Sequence, residues 1–548
     1  MRAPLKTSER ALPMNGFDLY DTTLRDGAQQ EGLQLSVSDK LAIAGLLDDL
    51  GVDFIEGGWP GANPKDTEFF ARARTELTLV NAQLAAFGST RRPGIRAADD
   101  PQVQALLEAQ TPVVTLVGKS HSRHVTDALK TTLPENLAMI EDTITHLVGC
   151  GRTVYLDAEH FFDGFEVNPT YATEVVQVAM RAGAEAIVLC DTNGGMLAHD
   201  IERIVTETRD STGARLGIHC HNDGGCAVAN SIAAVRAGAT HMQGTVNGYG
   251  ERTGNADLIA VTANLQLKLG MPLVSGSQLE RALHVCHAIS EITNIPPFER
   301  APYIGASAFA HKAGLHASAL RVDPDLYQHI DPALVGNRMR TLVSDMAGRA
   351  SIELKGRELG YDLAGEPEVL ARVLARVKDL EQAGWTFEAA DASFDLLLQE
   401  EVSGTALALF DLKSWDIRID AEGADTALSR ATVELVVDGE TRLAAGKGNG
   451  PVNALDHALR SALMTTYPRL AELELIDFRV RILDADHGTD ATTRVLIDTT
   501  DGEHTWTTVG VAPNLVHASW IALVDSFTFG LLRCRSEDRG AARSAQSV

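Results

Sequence analysis

Short runs of β-branched and aliphatic residues alternate with longer amphipathic stretches through the first half of the chain. FDLYDTT (from Phe17), VDFIEGG (from Val52), LAAFGS (from Leu84), VVTLVG (from Val113), TVYLDAE (from Thr153), AIVLCDT (from Ala186), LGIHCHND (from Leu216) and HMQGTVN (from His241) read as strands. Between them, SDKLAIAGLLDDLG, ATEVVQVAMRAG and ANSIAAVRAG carry the helical period and end in glycine, as helix C-termini do. Eight such units in about 250 residues predict an α/β fold, a TIM (β/α)8 barrel over residues 16–271, behind an N-terminal extension at 1–15. A doubly wound open sheet fits less well, because no GxGxxG opens a helix after the first strand.

The alternation stops near Pro272. SQLERALHVCHAISEITN, the Gly/His-rich GASAFAHKAGLHASAL and EVLARVLARVKDLEQAG suggest a helical subdomain over 272–388. From Ala389 the texture changes to two rounds of strands followed by a helix. That pattern predicts a C-terminal α+β domain at 389–534 with an internal pseudo-repeat. Residues 535–548 (RSEDRGAARSAQSV) read as a disordered tail.

Charge and cysteine content narrow the function classes. With 48 basic against 74 acidic residues the net charge is −26, which argues against nucleic-acid or anionic-membrane partners. The six cysteines include no CxxC pair, and the N-terminus has no apolar core of a signal peptide. No apolar run is read as reaching the ~18 residues of a membrane span. The expectation is a cytoplasmic protein.

The unusual polar residues map to one rim. Arg25, Asp26, Glu56, Glu159, Asp191, Thr192, His219, His221 and Asn247 fall at or just past the C-terminal ends of the proposed strands, where barrel active sites are built. HCH places His219 and His221 on the same side of a strand. Two imidazoles with the carboxylate of Asp26 make a facial divalent-metal site, with Asn255 facing the same centre. The competing reading of HCH alone is a pair of hydrogen-bonded core histidines. Arg25 would set a fixed cation beside the metal to stabilise an alkoxide, unless it simply pairs with Asp18 or Asp21. Glu159 is a candidate general acid/base, with Asp157 the competitor. Thr192 offers a hydroxyl for a substrate carboxylate, and His124 and Tyr155 complete the expected substrate-contacting set. Tyr155 and Trp59 are large enough to narrow a pocket if they face inward. The glycines of NGYGERTGN suggest a turn whose amides approach an anion. His311, His316 and Tyr327 lie outside the barrel and could equally be packing residues.

LYDTTLRDGAQ, DAEHFFDG, HCHNDGG and NGYGERTGN together resemble the metal-dependent acyl-CoA condensing family of 2-isopropylmalate, homocitrate and citramalate synthases, and GKGNGPVNAL resembles that family's regulatory domain. The resemblance covers nearly the whole chain. It implies condensation of acetyl-CoA with a 2-oxo acid, then thioester hydrolysis. It also implies a divalent cation (Mg2+, Mn2+ or Zn2+) on Asp26, His219 and His221, with Asn255 as a weaker ligand. Arg25 matches the residue that stabilises the oxo group, Thr192 the carboxylate holder, Glu159 an active-site glutamate, His316 the base-side histidine and Tyr327 its neighbour. In the family the last two come from the partner of a domain-swapped homodimer. EGGWPGANPKD, AFGSTRR and TVGVAPNLVHASWIALVDS look most like the branch that uses pyruvate, with 2-oxoisovalerate as the alternative substrate. RDGAQQEG lacks the serine-type hydroxyl common in the 2-oxoisovalerate branch. Gly448, Asn449 and Gly450 mark the turn implied to bind a branched-chain amino-acid effector, isoleucine for the pyruvate branch; a plain dimerisation module is the alternative. A lyase running carbon–carbon cleavage on the same barrel, or a non-catalytic metabolite sensor, would be the other classes.

Overall fold

The computed structural model describes residues 16–421, 427–483 and 491–545, so the N-terminal extension at 1–15 lies outside the described residues. The chain forms two compact units: one runs up to Phe309 and includes Ile330–Arg338, the other comprises Ala310–His329 and everything from Met339.

In the first unit, eight parallel strands close into a barrel in chain order. They are β1 (Asp18–Asp21), β2 (Phe54–Gly58), β3 (Gln83–Ser89), β4 (Val113–Lys119), β5 (Thr153–Glu159), β6 (Ala186–Asp191), β7 (Leu216–Cys220) and β8 (His241–Gly244). β8 returns to β1, with Asp18 opposite His241 and Asp21 opposite Gly244. The strands are buried on both faces by helices outside and side chains inside, which is why they read as nearly continuous apolar runs. The first helix, Val37–Leu50, starts at a capping box in which Ser36 and Asp39 satisfy each other's backbone amides.

The lower interior of the barrel is filled by aromatic residues. Tyr20, Tyr155 and Ala186 are buried there with Phe54 packed against them, and the His241 ring lies 4.7 Å from that of Tyr155. Tyr155 donates its hydroxyl to Asp18 Oδ2 (3.0 Å), which also meets Arg215 at 2.8 Å. A packed floor closes this end of the barrel.

In the second unit, antiparallel strands Asp411–Ala421, Ala427–Val437 and Glu440–Gly448 precede the helix Pro451–Leu463. Strands Glu474–Ile482, Thr493–Thr500 and Thr505–Ala512 precede the helix Leu515–Ala545 in the same order. The pseudo-repeat shows in detail as well. A side chain on Gly446 would meet the backbone of Ala454 and Ala458 at 2.4 Å; one on Gly510, 64 residues later, would meet Ala518 and Ala522 at 2.0 and 2.8 Å. Each helix lies so close to its third strand that only glycine fits at the crossing.

Two expectations are corrected here. The last helix continues to Ala545, through most of the stretch read as a tail, since its Ala, Arg and Glu content favours helix. The same helix also contains a stretch, Leu515–Cys534, long and apolar enough to cross a membrane by length and composition, with mean hydropathy 1.5. His517 and Asp525 interrupt that run in the sequence. Just over half of it (56%) is buried, with Ala518, Leu523 and Phe527 in the core against the sheet, as in the core helix of a folded domain.

Asp525 on this helix accepts a hydrogen bond from Ser393 Oγ (2.8 Å), and burial pushes its carboxyl up to about 7. The folded state therefore prefers the protonated acid. The stability this group contributes is present below its ordinary value near 4 and is lost as pH rises through 7. Asp525→Asn keeps an acceptor for Ser393 and is expected to raise Tm by several degrees near pH 8 while changing little near pH 4. Thermal melts at the two pH values check this; an equal gain at both would rule out burial of the charge as the cause.

Candidate metal centre

The site forms where β1, β7 and the loop after β8 meet at the C-terminal rim. Asp26 sits at the head of a tight turn, Gly27–Gln29, that follows β1. His219 is the fourth residue of β7, and His221 follows its end. Their ligand atoms converge: Asp26 Oδ2 lies 3.2 Å from His219 Nε2 and 3.7 Å from His221 Nε2, and the two Nε2 atoms are 3.3 Å apart. All three residues are buried, and one ligand atom from each falls within 4.8 Å of the others. Asn255 closes the group by donating its amide to Asp26 Oδ2 at 2.5 Å.

The glycines of NGYGERTGN shape the loop that carries Asn255. A side chain at Gly254 would strike the Gly248 carbonyl at 2.0 Å, so the loop can fold tightly around Asn255 only with glycine there. The fold also carries Asn247 away from the rim's interior, to bond Cys286 O and Ser290 Oγ.

Electrostatics favour a cation at this point. Burial alone would raise the Asp26 carboxyl, but Arg25 and the two imidazoles hold it well below the usual carboxylate range. Burial would likewise lower His219, yet Asp26 raises it, so an added positive charge at Nε2 is favoured. His221 is pushed down to about 4 by burial and by His219, which leaves its nitrogen free to ligate at neutral pH. Asn255 Oδ1 and His221 Nδ1 are buried without a hydrogen-bond partner. A carboxylate, two imidazoles and a buried amide oxygen suit a divalent cation with open positions.

Arg25 is neither free nor paired with Asp18 or Asp21. Its Nε donates to Glu56 Oε2 (2.5 Å), its Nη1 to Asp26 Oδ1 (3.1 Å), and the guanidinium lies 3.8 Å over the Phe87 ring. Burial works against its charge, but Glu56, Asp26 and Asp157 outweigh burial and raise it further. Glu56 is held in turn by Tyr20. Beside Arg25 opens a cavity of about 320 Å3, bordered by Gln29, Lys40, Trp59 and Asp66. Trp59 is fixed there by its indole N–H on Gln102.

The remaining candidates separate by height along their strands. Glu159 ends β5 at the rim and forms an ion pair with Lys119, its neighbour across β4. Asp157, two residues lower, is buried, pushed up to about 7 by burial and Glu56, and accepts from Gln243. Thr192 follows β6, and its hydroxyl accepts from the His160 amide, leaving its own proton to donate. Arg252 bonds the Thr192 carbonyl and bridges to Asp223. His124 meets His160 edge-on (4.2 Å) and stacks on His121 (4.8 Å), and burial and the His160 ring lower it. Tyr155 does not reach the rim. It lies four residues below Glu159 on β5, roughly 13 Å along the strand, and belongs to the barrel floor. Sequence alternation gives the side a residue faces, not its layer.

In the second unit, the His316 ring stacks on Tyr327 at 4.2 Å. Gly448, Asn449 and Gly450 form the turn from the strand Glu440–Gly448 into the helix Pro451–Leu463. Asn449 and Gly450 border a cavity of about 700 Å3, with Asp456, Arg460, Leu475 and Phe478 on its walls.

Sequence reasoning assigned no role to Gln243, Lys119 or Glu56. Gln243 and Lys119 meet His219 and Glu159 across neighbouring strands, pairs that only the barrel register brings together, and Glu56 on β2 meets Arg25 in the turn after β1.

Comparison with known proteins places three family models along the chain: HMGL-like over residues 16–289, the homocitrate synthase post-HMGL domain-like family over 303–384, and the LeuA allosteric (dimerisation) domain over 388–530. An (R)-citramalate synthase of Streptomyces coelicolor is 60% identical over 95% of this chain and 97% of that protein. One from Aquifex aeolicus is 49% identical over 95% and 98%. A probable 2-isopropylmalate synthase of Methanopyrus kandleri is 31% identical over 92% and 96%.

Proposed function

The chain belongs to the (R)-citramalate synthase family, and from that premise we propose how this barrel joins acetyl-CoA to pyruvate and hydrolyses the resulting thioester. The observation that carries the reading is the convergence of Asp26, His219 and His221 with the Arg25 guanidinium one residue from the carboxylate.

A divalent cation held by Asp26, His219 and His221, with Asn255 beside them, would polarise the ketone of pyruvate. Glu56, Asp26 and Phe87 fix Arg25 so that its remaining N–H groups can donate to the ketone oxygen as charge develops. Thr192 holds the pyruvate carboxylate through its free hydroxyl proton. The partner subunit's His316 takes a proton from the acetyl methyl group. The methyl carbon then bonds to C2 of pyruvate, and the ketone oxygen gains a proton. Glu159, paired with Lys119, orients the water that attacks the thioester; the C–S bond breaks and the CoA thiol leaves. Trp59, fixed beside Arg25, restricts the space for the side chain of the 2-oxo acid.

The C-terminal domain is a LeuA-type allosteric domain. The cavity beside Asn449 and Gly450 joins apolar walls, Leu475 and Phe478, to charged ones, Asp456 and Arg460, the combination a branched-chain amino acid needs. Isoleucine is the effector assigned to it.

Thiol release from acetyl-CoA, with pyruvate and 2-oxoisovalerate offered separately, tests the whole reading. Release is expected with pyruvate, to be abolished by EDTA and lowered by added isoleucine. Preference for 2-oxoisovalerate would leave the chemistry and remove the substrate assignment.

A further inference from the structure

Gln243 is fully buried on β8, directly across from His219 in the barrel register. Its Oε1 lies 2.9 Å from His219 Nδ1, and its Nε2 lies 2.9 Å from Asp157 Oδ1 and 3.4 Å from His241 Nε2. These neighbours determine which way the amide points. An Asp157 carboxylate accepts. His241 places its own proton on Nδ1, facing Asp18 Oδ2 at 3.2 Å, so its Nε2 accepts too. The NH2 end of Gln243 therefore faces Asp157 and His241, and the oxygen faces His219. With the amide reversed, its oxygen would confront two acceptors.

The oxygen can be satisfied only by a proton on His219 Nδ1. Neutral imidazole carries a single proton, so this bond leaves the Nε2 lone pair bare. Nε2 is the atom that points at Asp26 and His221. Partners behind a ligating histidine orient the ring and tune its basicity.

We propose that Gln243 is a positioning residue that fixes the tautomer and ring plane of His219, with Asp157 and His241 holding the glutamine in its required orientation. This inference rests on the metal-centre reading above. It gives Asp157 a task at one remove from the chemistry, which accounts for a buried carboxylate below the rim.

The test uses the full chain stripped of metal and titrated with Mn2+ alone, free Mn2+ being read by electron paramagnetic resonance. Gln243→Leu is expected to bind about 10–100-fold more weakly than the unaltered chain. Gln243→Glu keeps an oxygen facing Nδ1, with a proton shared between its other oxygen and Asp157 in place of the amide N–H, and is expected to stay within about threefold. Imidazole 15N shifts should show His219 protonated at Nδ1 in the unaltered chain and in Gln243→Glu, and mixed tautomers in Gln243→Leu. A mere packing role would not separate the two variants. Thermal melts of the metal-free proteins report folding; should Gln243→Leu fail to fold, Gln243→Met takes its place with the same expected ratio. Unaltered Mn2+ affinity in the folded Leu or Met variant overturns the proposal, as does a Gln243→Glu protein as weak as Gln243→Leu. If the unaltered chain takes up no metal, the metal-centre reading falls and this inference with it.

Discussion

Asp26→Ala is expected to lower pyruvate-dependent thiol release by at least about 10³-fold, without recovery at high metal concentration. Asp26 is the only carboxylate in the converging group, and both imidazoles lean on it. Its loss would leave two histidine nitrogens 3.3 Å apart with no anion between them and Asn255 without its acceptor. Arg25 would keep Glu56 but lose the partner that turns the guanidinium toward the centre. Metal uptake and activity should therefore fall together. Full metal binding with lost activity would instead assign Asp26 to the reaction and not to the cation. Activity that survived would remove the centre from the mechanism.

Arg25→Lys should produce the second-largest effect, a fall of about 10²–10³ in kcat, or roughly 2.7–4 kcal/mol, with metal affinity changed only a few-fold. The substitution keeps the charge, so a loss cannot be put down to electrostatics alone. The guanidinium donates to Glu56 and to Asp26 at once while lying flat on Phe87. An ammonium is a compact point charge and cannot hold that planar geometry. Steady-state kinetics with pyruvate varied checks the outcome. An effect on KM with kcat intact would make Arg25 a binding group for ground-state pyruvate.

How much of this was visible beforehand depends on the physical character of each signal. The barrel was legible because eight buried parallel strands must be apolar on both faces, and helix caps mark the gaps between them. The HCH pair was legible because strand alternation sends residues two apart to the same side. The same rule misled for Tyr155, which faces inward as expected but on the floor. Gln243 and Lys119 were hidden for a different reason. Their importance comes from the neighbour each meets across a strand, and no local pattern in HMQGTVN or VVTLVGK announces His219 or Glu159. In the last helix, His517 and Asp525 broke an apolar run whose extent emerges only when the helix is laid on its sheet.

The aromatic floor of Tyr20, Phe54 and Tyr155 has a consequence for traffic. A barrel sealed at one end is a dead-end vessel, so both reactants arrive and both products depart through the same opening. Everything bound at the rim is thereby reached from one side, the side on which the β-to-α loops lie.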